Sequence, residues 1–258
     1  MTLKTTLLAS AAIIALAGSA NAADFTGSLY LPGQGQILSD TAIQHNRTKF
    51  DHNGVHKELY ASETITYGVT DNFSVVGTIG NYFDVKKYTN QEYNNDHNFD
   101  YTIGAKYNMR SGNWLSQVGL SYYTFNPKSW EGHRATDERW NKYLIANAQL
   151  GYDLGNGLTP YGSFTATGNI DESDRDIEYS AFAGVHKTAD KFALDGGIRY
   201  EFNLDGANTN TLWLQAEANY FVTDNVAAGI FGDYYLGGTG SDEIDYDYTA
   251  GVNLKVLF

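Results

Sequence analysis

Between residues 246 and 258, apolar or aromatic side chains occupy every second position: Tyr246, Tyr248, Ala250, Val252, Leu254, Val256 and Phe258. Asp247, Thr249, Gly251, Asn253, Lys255 and Leu257 lie between them. A period of two sustained this long is a β-strand with one apolar face and one largely polar face. At about 3.3 Å per residue, it is long enough to cross a bilayer core of about 30 Å even when tilted. The alternation recurs upstream. Residues 226–236 place Val226, Ala228, Ile230, Tyr234 and Leu236 on one face, and 212–222 place Leu212, Leu214, Ala216, Ala218, Tyr220 and Val222. Residues 192–202 set Phe192, Leu194, Ile198, Tyr200 and Phe202 against Asp195, Arg199 and Glu201. Residues 99–108 set Phe99, Tyr101, Ile103 and Tyr107 against Asp100, Thr102 and Lys106.

Twelve such strands are expected, near 35–45, 55–68, 73–83, 99–108, 114–125, 142–152, 158–168, 177–187, 192–202, 211–222, 226–236 and 246–258. Their connectors alternate in length. Val-Thr-Asp-Asn occurs at 69–72 and again at 222–225, marking two equivalent tight turns whose Asp and Asn tolerate left-handed backbone. The intervening connectors, such as 84–98, 126–141 and 237–245, are long and rich in Asn, Asp, Gly, Lys and Glu. An even strand count, short turns opposed to long polar loops and a last strand ending on Phe258 resemble the porin-like outer-membrane β-barrels of bacteria. The resemblance implies an all-β fold, a transmembrane antiparallel up-and-down barrel whose short turns face the periplasm. It also implies an assembly signal formed by Tyr248, Val252, Leu254, Val256 and Phe258, with the barrel-assembly machinery and periplasmic chaperones as partners.

The amino terminus fits export. Lys4 precedes an apolar run over 7–17 and then Gly18-Ser19-Ala20-Asn21-Ala22, the pattern of a cleavable signal peptide spanning 1–22. The barrel then occupies 23–258, with 23–34 as a short lead-in where Phe25, Gly27, Leu29 and Leu31 alternate before Pro32-Gly33. With 20 Tyr, 13 Phe, 4 Trp and 27 Gly against 3 Pro, the composition suits a girdled barrel. The chain has no Cys, so closure of the sheet rather than disulfides must stabilise it. A net charge of −13 excludes a nucleic-acid partner, which calls for a basic surface, and argues against a channel dedicated to anionic sugars.

Candidate chemistry lies on the polar faces. Glu63, Lys106, Glu178, Asp195, Arg199, Glu201, Glu217 and Lys255 are expected to line a pore, setting up a transverse field that orders water and selects small hydrophilic solutes. Glu63 joins this set because charge on the lipid face is costly, although that orientation drags Leu59, Ala61 and Ile65 inward. Aromatics near the strand ends, among them Phe125 and Phe221, are expected to form interfacial girdles. The leading function is passive diffusion through an outer-membrane channel in contact with lipid and lipopolysaccharide. A non-conducting structural or adhesive barrel is the first alternative, and a lipid hydrolase the second. An enzyme is not expected, since His186 and Ser180 lie on a lumen face. No cofactor or metal is assigned, although Asp51, His52 and His56 share a loop and acidic runs occur at 171–176 and 242–245. Self-association into a homo-oligomer is left open by the sequence, and loop 126–141 is the segment expected to decide the bore.

Overall fold

The computed structural model describes residues 25–50, 54–86, 98–125, 141–170, 177–204, 209–239 and 244–258. The signal peptide, Asp51, His52, residues 171–176, 242 and 243, and nearly all of loop 126–141 lie outside them. Twelve strands follow in order: β1 (Ile37–Phe50), β2 (Gly54–Gly68), β3 (Phe73–Lys86), β4 (Asn98–Ser111), β5 (Trp114–Phe125), β6 (Asn141–Tyr152), β7 (Leu158–Asn169), β8 (Ile177–Ala189), β9 (Phe192–Asn203), β10 (Asn210–Thr223), β11 (Val226–Thr239) and β12 (Ile244–Leu257). Each pairs antiparallel with its neighbours in sequence, and β1 pairs with β12 to close the barrel. At the seam the backbone N–H of Phe258 donates to Ile37 O at 2.8 Å, and that of Ile37 donates to Phe258 O at 3.0 Å. Closure leaves no edge strand with unpaired backbone groups.

Hydrophobicity is inverted relative to a water-soluble domain. On the outer wall Ile103 is 67 % exposed and Ile230 is 64 % exposed, whereas inside Asp100 is 4 % exposed and Gln117 is 1 % exposed. An apolar exterior around a polar interior is what a barrel in lipid requires. The two Val-Thr-Asp-Asn turns are equivalent, but threonine supplies their local capping. The Thr70 hydroxyl accepts from Phe73 N at 3.0 Å, and that of Thr223 accepts from Asn225 N at 3.3 Å. The neighbouring Asp71 and Asn225 instead reach out of their turns, to Gln34 N at 3.1 Å and Leu257 O at 3.1 Å. The turn between β6 and β7, at Gly155-Asn156-Gly157, holds three successive residues at positive φ, which the two glycines adopt without steric cost.

Candidate pore and its internal segment

The lead-in is inside the barrel. Phe25 is buried with Ala227 and Leu257, its ring edge-on to Phe221 at 5.6 Å. Thr26 O accepts from Lys255 Nζ at 3.5 Å, and Gly27 lies against the His186 ring. Leu29 O accepts from Asn108 Nδ2 at 2.9 Å while the Leu29 side chain faces Gly151. The chain then turns back to the wall, where Gly35 N donates to Gly68 O at 2.8 Å and Gly68 N to Gln36 O at 3.0 Å. A side chain at Gly68 would collide with the backbone of Pro32 and Gly33, so glycine is what lets the segment lie so close. Residues 25–36 thus cross from the β10–β12 wall to β4 and β6 on the far side, then return to the foot of β1.

The segment separates two cavities. On the loop side, one of about 510 Å³ is lined by Thr26, Ser28, Tyr161, Asp195, Arg199, Glu217, Asp233 and Lys255 among others. On the turn side, one of about 640 Å³ is lined by Gly27 to Leu31, His186 and the turn residues Asp71, Asp153 and Gly155 to Gly157. Ser28 and Tyr161 border both.

Charge within the lumen is organised around two cations, each serving two carboxylates. Lys255 Nζ lies 2.6 Å from Glu217 and 3.9 Å from Asp40. The same Glu217 oxygen accepts from Asn219 Nδ2 at 2.9 Å and Asn253 Nδ2 at 2.8 Å. Arg199 lies 2.9 Å from Glu201 and 3.7 Å from Asp233, with its guanidinium 5.3 Å from the centre of the Trp213 ring. Trp213 Nε1 donates in turn to Glu201 at 2.9 Å. A fifth carboxylate, Asp195, accepts from the Tyr161 hydroxyl at 2.6 Å and meets His186 Nδ1 at 3.1 Å. The opposite wall is aromatic. Tyr60 and Tyr123 donate to the buried Asp100, at 3.0 and 3.4 Å, and Tyr60 and Tyr82 have ring centres 4.5 Å apart. A side chain at Gly80 would occupy the space of Tyr60 and Asp100, so glycine there makes room for their bond.

No protein-family model and no curated protein matches the sequence. Solved structures do. An outer-membrane channel from Pseudomonas putida F1 superposes with a TM-score of 0.65 at 15 % identity, over 90 % of this chain and 98 % of that one. The NanC porin gives 0.58 at 10 % identity, over 84 % of this chain and 98 % of its own. The KdgM porin in complex with disordered oligogalacturonate gives 0.55 at 6 % identity, with the same coverage. The fold is that of outer-membrane porins.

In this porin-type barrel the strand register places most of the expected pore residues. Lys106, Glu178, Asp195, Arg199, Glu201, Glu217 and Lys255 carry the inward parity of their strands. Glu178 stands at the loop-side end, beside Glu201 in a cavity of about 300 Å³. Glu63 is a correction: it faces outward. It lies opposite Thr41 and Ile79, whereas its neighbours in sequence, Ser62 and Thr64, have the inward parity of Tyr60. Leu59 and Ile65 stay on the outer wall with it. The carboxylate tolerates that side because Ser39 Oγ donates to it at 2.5 Å and Thr41 Oγ1 donates to its other oxygen. Two of the expected girdle rings are corrected as well: Phe221 packs on Phe25 inside, and Phe125 stacks on Tyr143 of the lumen wall. In the last strand Val252 is on the outer wall, and Tyr248 and Leu254 share its parity. Val256 shares it too, yet is only 2 % exposed between Ser39 and Val226. Asp40 and Asp233 were absent from the expected pore set, although the parity of their strands puts both inside.

Proposed function

We propose that the chain is an outer-membrane channel passing small hydrophilic solutes by diffusion, with a preference for cations and neutral molecules over anions. The observation that carries this reading is the wall beside the internal segment, where Asp40, Glu201, Glu217 and Asp233 share two cations, Arg199 and Lys255, and Asp195 adds a fifth carboxylate held by Tyr161 and His186. A low-dielectric wall focuses that excess negative potential into the bore, raising the local concentration of cations. The KdgM porin has been captured with oligogalacturonate, a polyanion. An acid-rich lumen would repel such a ligand, so the shared fold does not carry that cargo here. Hydrolysis of lipid is disfavoured by geometry. Ser39 and His45 both face outward on β1, but six residues apart they stand about 20 Å from each other, far beyond the reach of a nucleophile and its base.

A specific observation favours the non-conducting alternative: residues 25–36 cross the lumen. Planar-bilayer conductance of the mature protein and of a variant lacking 25–34 decides between the two. The channel reading expects cation-selective steps from the mature protein and steps several-fold larger from the variant. Silence from both would defeat it. Silence from the mature protein with conduction by the variant would make the barrel a plugged one.

A further inference from the structure

Two phenyl rings inside the barrel lie along its wall instead of pointing across the bore. Phe182 on β8 reaches over Gly184 and Gly197, and Phe231 on β11 reaches over Gly251, so that a side chain at any of these glycines would collide with the ring above it. Both rings border the loop-side cavity of about 510 Å³, a volume within the range of small-molecule sites, roughly 300–1,000 Å³. Between them run β9 and β10, where Asp195 and Glu217 stand directly opposite one another, and Phe231 faces Glu217 from the other side. Asp233, the next inward residue after Phe231, lines the same cavity. Carboxylates and aromatic rings therefore alternate around one space.

The three hydrogen bonds of Glu217, from Lys255, Asn219 and Asn253, all fall on Oε1. No described group bonds to its Oε2, so one acceptor oxygen remains for a solute in the cavity. The cations of this wall are already engaged, Lys255 with Glu217 and Asp40, Arg199 with Glu201 and Asp233. Asp195 adds negative charge beyond theirs. An inorganic cation would answer that charge and make no use of the rings, whereas a neutral solute would use the rings and leave the charge unanswered. A cation with a hydrocarbon body uses both. We propose that this cavity binds a primary alkylammonium ion, whose N–H groups donate to Glu217 Oε2 while its alkyl chain lies against Phe182 and Phe231. Such a bond is charge-assisted at both ends, and a ring face beside the ammonium adds the attraction of its quadrupole. The inference rests on the cation-preferring reading of the bore and names the class of cation.

Binding is read on the folded protein in a deuterated non-ionic detergent by saturation-transfer NMR, titrating butylammonium, 1-butanol or methyl glucoside, with potassium as competitor. Butylammonium should bind about tenfold more tightly than 1-butanol, which has the same chain without the charge. The double variant Phe182→Leu, Phe231→Leu should weaken it about fivefold, and Glu217→Gln should weaken it as much. Asp233→Asn, which leaves the bonds of Glu217 in place, should weaken it less. Phe164→Leu, on the outer wall, should change nothing. Heat-modifiable gel migration verifies that each variant is folded. Equal affinity of the wild type for butylammonium and 1-butanol overturns the proposal, as does an affinity indifferent to the loss of both rings. Potassium displacing butylammonium at equal concentration would mark a well of charge alone, and tighter binding of methyl glucoside would mark a saccharide site; either result also overturns it. Conductance without butylammonium binding defeats this inference and leaves the channel reading standing, whereas binding by a barrel silent in bilayers does the reverse.

Discussion

Glu217 and Glu63 are carboxylates of the same barrel on opposite sides of its wall. Glu217 faces the lumen and is held by Lys255, Asn219 and Asn253, so a cation and two amides share it in reach of the aqueous cavity. Glu63 faces outward among Ile65, Ile79 and Leu254, and its oxygens are met by the hydroxyls of Ser39 and Thr41. Both obey the rule that a desolvated charge must be hydrogen-bonded. The difference lies in who feels the charge. Glu217 belongs to the field of the lumen, whereas Glu63 is shielded from the lumen by the sheet itself and is a matter for folding and the outer wall alone.

The largest effect expected from breaking this contrast comes from the cation. Replacing Lys255 with Met leaves Glu217 and Asp40 unopposed and should cost about 3 kcal/mol, the low end for a broken buried pair, because Asn219 and Asn253 still donate. The urea midpoint of the folded barrel measures it, and an unchanged midpoint would remove Lys255 from its bridging role. On the outer wall the double variant Ser39→Ala, Thr41→Val strips Glu63 of both donors and should cost about 2 kcal/mol in the same assay. Its reversal potential should stay that of the wild type, and a shift would mean that Glu63 is sensed from the lumen after all. Smallest in stability, and sharpest as a comparison, are the single changes to Gln. Glu63→Gln should alter stability by less than about 1 kcal/mol and leave ion preference alone, while Glu217→Gln should move the reversal potential toward anions. Equal shifts from the two would erase the distinction between the walls.

How much of this was legible in the sequence depended on which signal was followed. Parity was sufficient for β4, β9, β10 and β12, where every charge falls on one face and the other face carries none, and there the orientation of Lys106, Asp195, Arg199, Glu201, Glu217 and Lys255 followed directly. It was also sufficient for Glu63, but the cost of charge in lipid was given priority over three apolar neighbours, Leu59, Ala61 and Ile65. The decisive fact, that Ser39 and Thr41 arrive from the adjacent strand, depends on register and could not be read from β2 alone. Phe221 and Phe125 have the inward parity of their strands, but both sit near strand ends as girdle residues do, and position was followed there instead of parity. The lead-in was recognised as alternating, yet only the closed ring shows that its apolar positions, Phe25 and Leu29, have an interior to fill. Its signal was a short alternating run just before Pro32-Gly33, too brief to span a membrane and too apolar for an exposed tail.

The contact between Thr26 and Lys255 joins residues 229 positions apart, and it lies beside the seam where β1 meets β12. Such a contact cannot form until nearly the whole chain has been placed, and its loop-closure cost is among the largest the molecule has to meet. Threading a segment into an already sealed ring would require it to enter through one end. The economical order is for the first residues to lie across the open sheet while the last strand is still free, so that the final zipper from Ile37 to Phe258 traps them.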